Sequence, residues 1–595
     1  MRPDTTTKRR TRAGRSTPRS RPARRATGDS LQHRLYCQLE RGPERRAIAF
    51  LGPRGTVAWR SWRQFLEAAS GYSRWLAEQG LGRGQVCALA LQSDEACATA
   101  LMGTLLLGAV PLLVAPPMLQ EGSTHLLEVL TRTCRRAGAR VAVVSESTAA
   151  LREGLAPAGR GTRFVFLPEG GAAPAPAPVS RVAPAAQGVA AMQLTSGTTG
   201  FPRICVWKHA GVLAALDGMR AAMRLSTEDV CFNWTPLYHD MGLVNNFFLC
   251  LTSGVPVVMA RPQDFIRQPA LWLRGLWQTG STVTWSPNFG FAVAVHRIRD
   301  EDVDGVRLDG VRAFYNAAER IHLETMQSFH KRFAALGVRP DALKTNFGCA
   351  ENVGGATFSS ADGPFVHERV DRALLYEQGV ARPAQDPDER RSVSVVGVGR
   401  PTPGMRIAIL SAAGRPLPEG HVGQIALETP SRMAGYLHQA AETRRALYKK
   451  WLRSGDLGYL RGDELFWVGR ARERITVRGR KFDPSEVERV LFGIPGLRQG
   501  CFAAFGVADA ELGTERLVVV SEIQESAAAR ADQITEQIRE SVSLQLGLGA
   551  DEVMLVKAGT LTKTSSGKRR HRFFSRAYLD GRLDAFKVPV TGGTR

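Results

Sequence analysis

The chain has no cysteines close enough together to form a metal or redox motif. Its nine cysteines stand singly at 37, 87, 97, 134, 205, 231, 250, 349 and 501, with no CxxC and no zinc-like spacing to the eleven histidines. That excludes a zinc ribbon and a disulfide scaffold, and it suits a reducing cytoplasm. No GxxxxGK[ST] string occurs, so there is no Walker A phosphate loop. Internal repeats are missing too, which excludes a solenoid. One uncharged stretch, 96–120, reaches membrane-span length, but Gly108, Pro111, Pro116 and Pro117 punctuate it. It therefore predicts a helix ending near Leu107 and a short buried strand near 110–114, with no membrane span. Acidic residues are scarce: 56 Asp and Glu face 79 Lys and Arg, leaving a net charge of +23.

Much of that excess is local. Residues 1–25 hold ten basic residues against Asp4 alone, spaced by Thr, Ser and Pro without an apolar period to offset the entropy of ordering. Residues 1–30 read as a disordered basic leader. Arginine pairs at 9–10 and 24–25 have no apolar segment after them, which excludes an export signal and leaves a solvated tail or a Ser/Arg-rich transit segment. Basic chains of this kind often bind nucleic acid. Here no zinc module, helix-turn-helix or basic-aromatic interleaving accompanies the charge, so no nucleic-acid partner is expected.

At 595 residues the chain exceeds one compact core. Apolar runs at 86–91, 141–145, 164–167, 255–260 and 283–286 alternate with helical stretches such as 61–79 and 211–223, the pattern of α/β layers on a largely parallel sheet. Gly, Ala and Pro fill 170–188, which predicts an exposed linker or loop, and 376–392 is a second polar, turn-prone stretch. Beyond Arg474, a helix at 484–491, a strand at 517–523 and a helix at 531–545 predict a further unit. The expected fold class is α/β. A large multi-layered N-terminal domain of sheets and helices over 31–472 precedes a small mobile α+β C-terminal domain over 473–595.

The densest local signal is Thr195, Ser196, Gly197, Thr198, Thr199 and Gly200, directly after the apolar 189–194. Small hydroxyl residues interleaved with glycine let backbone N–H groups converge on a phosphate; alone, such a string is also a plain turn. Other residues have the same double reading. Glu351 is a carboxylate for a cation on polyphosphate or an acid at a helix N-terminus. Asp456, in a Ser-Gly-Asp turn, accepts from ribose hydroxyls or caps its own backbone. Arg470 is a planar donor fork or a surface cation. His239, between Tyr238 and Asp240, is a functional or a structural imidazole. Lys568 sits in a stretch, 557–576, with seven basic residues and no acidic one, which is either a solvated loop or one facing polyphosphate. Phe247, Phe248, Phe289 and Phe291 read as the lining of an aliphatic tunnel or as core.

The order of the strings carries a resemblance. TSGTTG at 195–200, LYHDMGL at 237–243, PNF at 287–289, NAAE at 316–319, NFGCAE at 346–351, SGDLG at 454–458, GR at 469–470 and KTSSGK at 563–568 follow one another as in the adenylate-forming superfamily of acyl and aryl ligases. Within it the chain most resembles the fatty acyl-AMP ligases, over roughly residues 45–575. The resemblance implies activation of a carboxylic acid, fatty or otherwise aliphatic, by ATP and Mg²⁺ to an acyl-adenylate. Transfer to the phosphopantetheine thiol of an acyl carrier protein would follow, with CoA the acceptor in a related branch. By resemblance the six loop residues hold the ATP phosphates, with Thr199 and Glu351 on Mg²⁺. Ala317, Ala318, Glu319, Asn346, Phe347 and Gly348 border the nucleotide, Asp456 and Arg470 its ribose and phosphates, and His239 the carboxylate. Lys568 comes from the mobile domain to the α-phosphate.

Departures from the family pattern are also visible. Arg203 stands where relatives carry lysine, Arg320 and Thr562 where they carry proline, Ala317 in place of a glycine, and Glu473 in place of the hinge aspartate. None removes a catalytic group, which argues against a non-catalytic relative. On the choice of acceptor, residues 370–375 resemble an insertion that impedes CoA use, whereas KFDP at 481–484 is closer to the CoA ligases.

Overall fold

The computed structural model describes residues 29–116, 123–145, 161–167, 174–180, 188–195, 201–385, 388, 391–470, 473, 475–477, 480–509, 514–562 and 569–588. Residues 1–28 of the expected leader lie outside them.

Two sheets dominate the large N-terminal region. Among the described residues one has nine strands, in the order Arg400–Pro401, Gly354–Phe358, Leu343–Cys349, Ala313–Ala317, Val283–Pro287, Cys231–Asn233, Val257–Met259, Arg46–Leu51 and Val57–Ser61. Pairing is parallel from Leu343–Cys349 to Arg46–Leu51 and antiparallel at both edges. The other has seven: Gly435–Tyr436, Ile204–Lys208, Val189–Leu194, Val110–Leu113, Val86–Ala90, Val141–Ser145 and Arg163–Leu167, the last five parallel. Strands Val86–Ala90 and Val141–Ser145 are buried at every position, which explains their unbroken apolar sequence: parallel sheets are covered on both faces.

The uncharged stretch is core over its described part, 96–116. Helix Glu95–Leu106 is buried continuously over 97–106, and strand Val110–Leu113 follows it. A helix that is apolar all round belongs inside a protein or a membrane. This one packs on the amphipathic helix Trp62–Glu78, and a Cβ at Gly103 would stand 2.7 Å from the Ala69 carbonyl oxygen and from Tyr72 Cβ. Among the described residues no helix is long and apolar enough to cross a membrane.

The stretch expected as an exposed linker or loop is, where it is described, a largely exposed loop that also touches a helix. Residues 174–180 form a strap on Trp62–Glu78: Ala177 is buried and its N–H donates to the Glu67 carbonyl at 3.0 Å, while Ser70 Oγ donates to Pro178 O at 2.7 Å. Alanine and proline are small enough to lie flat on the helix, so a composition typical of linkers serves packing. The polar stretch after 375 is likewise anchored, since Tyr376 is buried and Ser392 begins the strand Ser392–Val396.

An antiparallel sheet of Arg406–Leu410, Gly423–Glu428, Trp451–Arg461, Leu447–Tyr448 and Glu464–Arg470 completes the large region. The smaller α+β part carries strands Leu497–Asp509, Thr514–Ile523 and Glu552–Val556, with helices Pro484–Arg489, Ala531–Leu546 and His571–Leu579. Its apolar clusters begin at Ile475, while those of the large region end at Val468, so the two cores are separate. The α/β class expected from the sequence is the class observed.

Candidate active site

Ligands of open α/β sheets bind beyond the carboxyl ends of the strands. Here those ends belong to Val189–Leu194, Val283–Pro287, Ala313–Ala317 and Leu343–Cys349, and a cavity of about 510 Å³ opens over them.

Thr195 continues the first of these strands. Its N–H donates to the Arg203 carbonyl at 2.8 Å, and the Arg203 N–H donates to Thr195 Oγ1 at 3.1 Å. Thr195 thus clips the base of the loop whose other members, Ser196, Gly197, Thr198, Thr199 and Gly200, lie outside the described residues. The Arg203 guanidinium stands 5.0 Å from the Tyr436 ring centroid, and Tyr436 OH donates to Glu351 Oε1 at 2.6 Å. Burial first, and the Glu351 charge second, push the Tyr436 phenol well up, so it stays a neutral donor. Glu351 rides on the 3₁₀ turn Ala350–Asn352, pinned by Trp207 Nε1 donating to Ala350 O at 2.7 Å. The turn ends at Val353 with φ 56°, an uncommon conformation for a β-branched residue and a mark of locally imposed geometry.

His239 is buried where the chain enters the π-helix Met241–Phe248. Its Nδ1 stands 2.9 Å from Asp240 Oδ1 and 3.1 Å from the Met241 N–H, which fixes the ring. Gln193 donates to Tyr238 O at 2.8 Å and Ser93 Oγ accepts the Leu237 N–H at 2.9 Å, tying the segment to the neighbouring sheet. The glycine of LYHDMGL is required by packing: a Cβ at Gly242 would lie 2.2 Å from Pro236 O.

On the opposite wall, Glu319 Oε1 accepts the Phe289 N–H at 2.6 Å, at the start of the helix Asn288–Arg297, which has no side-chain cap of its own. Ala318 takes φ 72°, whereas Ala317, the alanine that replaces a family glycine, ends a strand and does not have a positive φ, so the substitution causes no strain. Asn346 is buried, and its Oδ1 has no hydrogen-bond partner among the described residues although the residue borders the cavity. An unpaired buried acceptor costs free energy unless a ligand supplies the donor. Asp456 and Arg470 are register partners on adjacent strands, with Oδ1 and Nε 3.4 Å apart. Burial opposes the Arg470 charge, yet the carboxylates of Asp456, Glu473 and Glu351 hold the guanidinium above its usual range.

The structure therefore gathers Thr195, His239, Ala317, Ala318, Glu319, Asn346, Phe347, Gly348, Glu351, Asp456 and Arg470 around one cavity. Lys568 lies outside the described residues. Of the four phenylalanines considered for a tunnel, Phe247, Phe248 and Phe291 are core and Phe289 lines the cavity. Sequence reading missed Tyr436, which meets Glu351 from 85 positions away through the pairing of Gly435–Tyr436 with Ile204–Lys208. It also missed Glu488 and His571, which line the same cavity from the C-terminal part. His571 Nε2 lies 2.6 Å from Glu488 Oε1 and Nδ1 lies 3.5 Å from Glu473 Oε2.

The profile of the family described as AMP-binding enzyme matches residues 35–437. The chain belongs to that family. This AMP-binding enzyme is 31% identical over 417 residues to the medium-chain-fatty-acid–[acyl-carrier-protein] ligase JamA of Moorena producens, covering 68% of this chain and 70% of the relative. It is 28% identical over 602 residues to the long-chain-fatty-acid–AMP ligase FadD26 of Mycobacterium marinum, covering 94% and 99%. A solved structure from studies of the fatty acyl-adenylate ligases of E. coli and L. pneumophila superposes with a TM-score of 0.83 at 25% identity, over 94% of this chain and 98% of that one. The AMP-binding enzyme is thus an AMP-forming ligase of the fatty acyl-AMP ligase type.

Proposed function

We propose that this enzyme joins a fatty or related aliphatic acid to the AMP moiety of ATP, releases pyrophosphate, and passes the acyl group to the phosphopantetheine thiol of an acyl carrier protein. The observation that carries the reading is the meeting of His239, Glu319, Asn346, Glu351, Asp456 and Arg470, distant in sequence, on one cleft. In the first step a carboxylate oxygen bonds to the α-phosphorus and the bond to the bridging oxygen of pyrophosphate breaks, so negative charge grows on the phosphate oxygens. Arg470, held charged by its carboxylate neighbours, meets that charge. Lys568 supplies a second cation, a role supported by its chain neighbour Arg569, which lines the cleft. The partnerless Asn346 Oδ1 suits the amino group of adenine, and Asp456 suits the ribose hydroxyls.

A Mg²⁺ ion fits the donors available, because it takes one or two carboxylates beside substrate phosphates. Glu351, with Oε1 already bonded by Tyr436, would hold it together with Thr199, and it would neutralise charge on the polyphosphate. The division at residue 472, with the C-terminal domain turning about Glu473 between the two steps, belongs to the same proposal. JamA, by its name an acyl-carrier-protein ligase, supports the carrier as acceptor, as does the positive charge that an acidic carrier would meet.

The test is ATP–pyrophosphate exchange across aliphatic acids of increasing length and a set of aromatic acids, followed by a choice between holo carrier protein and CoA. Exchange with aliphatic acids and acylation of the carrier are expected. Absence of exchange would overturn the adenylation step, and efficient thioester formation with CoA would replace the acceptor.

A further inference from the structure

Arg320 departs from the family pattern, and its partners lie in the other part of the chain. Its Nη1 stands 3.4 Å from Glu486 Oε1 and 3.7 Å from Asp483 Oδ1, while Nη2 donates to Tyr376 OH at 3.2 Å. Glu486 also accepts from Arg372 and from the Tyr376 phenol. Asp483 caps the helix Pro484–Arg489 on which Glu486 sits, whereas Arg320, Arg372 and Tyr376 belong to the large region. None of the five is more than 9% exposed.

Two guanidiniums and two carboxylates thus balance inside a buried joint between separate apolar cores. Ion pairs of this kind add little adhesion over apolar packing, but they tolerate one geometry only, because a shifted partner leaves a charge buried and unmatched. The joint also touches the site. Arg320 directly follows Glu319, whose carboxylate holds the Phe289 N–H, and both Arg320 and Asp483 border the cavity. We infer that Arg320 and Glu486 are positioning residues: their buried cluster latches the C-terminal part over the cleft for adenylation and has to open before the acyl group meets its acceptor. The inference rests on the two-step reading above and adds the device that sets which step the enzyme is poised for.

The experiment uses the full chain with Arg320→Met and, as a variant that removes a single oxygen, Tyr376→Phe. Pyrophosphate exchange and single-turnover transfer from preformed acyl-adenylate are measured separately. A dye pair on non-natural residues at the exposed positions Trp277 and Leu579 reports the distance between the two parts. The latch predicts a fall of roughly tenfold or more in exchange for Arg320→Met, transfer unchanged or faster, and a second dye distance absent from the wild type. Tyr376→Phe should move all three readouts the same way by less, and it carries the test if Arg320→Met does not fold. A dye distance identical to wild type, or equal losses in both half-reactions, would overturn the latch. If the wild type exchanges pyrophosphate with no acid, the functional reading fails by itself and the dye distances alone decide the latch.

Discussion

Two groups of charged side chains, built from the same residue types, behave differently in this molecule. In the cleft, Arg470 stands 3.4 Å from Asp456 and 3.8 Å from Glu473, distances like those Arg320 keeps at the joint, but its side chain is 31% exposed against 8% for Arg320. At the joint, Arg320, Arg372, Asp483 and Glu486 are nearly sealed from solvent. Burial alone would push the Glu486 carboxyl up; Arg372, Arg320 and the Tyr376 hydroxyl outweigh it and hold the group down to about 2. A pair that opens onto the cavity can meet a ligand, and a pair sealed between two cores fixes how two bodies sit. Substitutions in the cleft should therefore cost activity and spare stability, whereas substitutions at the joint should cost stability first and, of the two half-reactions, lower exchange alone.

The largest effect expected is on the cleft side. Lys568→Ala should lower pyrophosphate exchange by about 10²- to 10³-fold while sparing transfer from preformed acyl-adenylate and leaving Tm unchanged, since one donor aimed at transition-state charge is typically worth that much. Unchanged exchange would remove Lys568 from the cleft group. The strongest test of the joint is Glu486→Gln, which leaves two buried guanidiniums facing a neutral amide. It should destabilise the fold by about 3–5 kcal/mol in denaturant titrations. A loss below about 1 kcal/mol would mean that the joint is wetter than its burial indicates, and the contrast with the cleft would collapse.

The two groups also differed in how far the sequence revealed them. LYHDMGL and SGDLG are contiguous because each runs along one piece of chain beside the cavity, the first into the π-helix Met241–Phe248 and the second along the strand Trp451–Arg461. The alternation of apolar runs likewise disclosed the parallel sheets, whose strands are buried on both faces. Arg320 and Glu486 are 166 positions apart and touch only after both parts have folded and met. No local pattern encodes that contact; what could be seen beforehand was a cation standing in place of proline at 320. Tyr436 was hidden for a similar reason, since two-residue strand pairing alone brings it to Glu351.

Tyr436→Phe sharpens the comparison from within the cleft. The ring under Arg203 is kept, and the hydroxyl's bonds to the Glu351 carboxylate and to Arg203 are lost. Glu351 is left without the donor that orients it, so exchange should fall by roughly ten- to a hundredfold, while the fold loses at most the about 1.5–3 kcal/mol that a hydrogen bond to a charged group contributes. A large fall in Tm at full activity would move this residue to the structural group.

The smallest effect concerns a residue that belongs to both groups. His571 lines the cleft yet is clamped between Glu488 and Glu473, with Arg569 Nη1 also 3.0 Å from Glu488 Oε2. Burial works against a charged imidazole, but the two carboxylates overcome it and raise the group from its ordinary value of 6.5 to about 10. Because the folded value lies above the unfolded one, the clamp's contribution is fully present below pH 6.5 and fades as pH rises through about 10. The urea midpoint of the wild type should therefore exceed that of His571→Gln most at pH 6, with the gap closing toward pH 10. Other groups titrate alike in both proteins, so the gap isolates this residue. A gap that stays constant across that range would mean His571 is neutral in the folded enzyme, and the carboxylates Glu473 and Glu488 would then have to be counted with the charges that face the cavity.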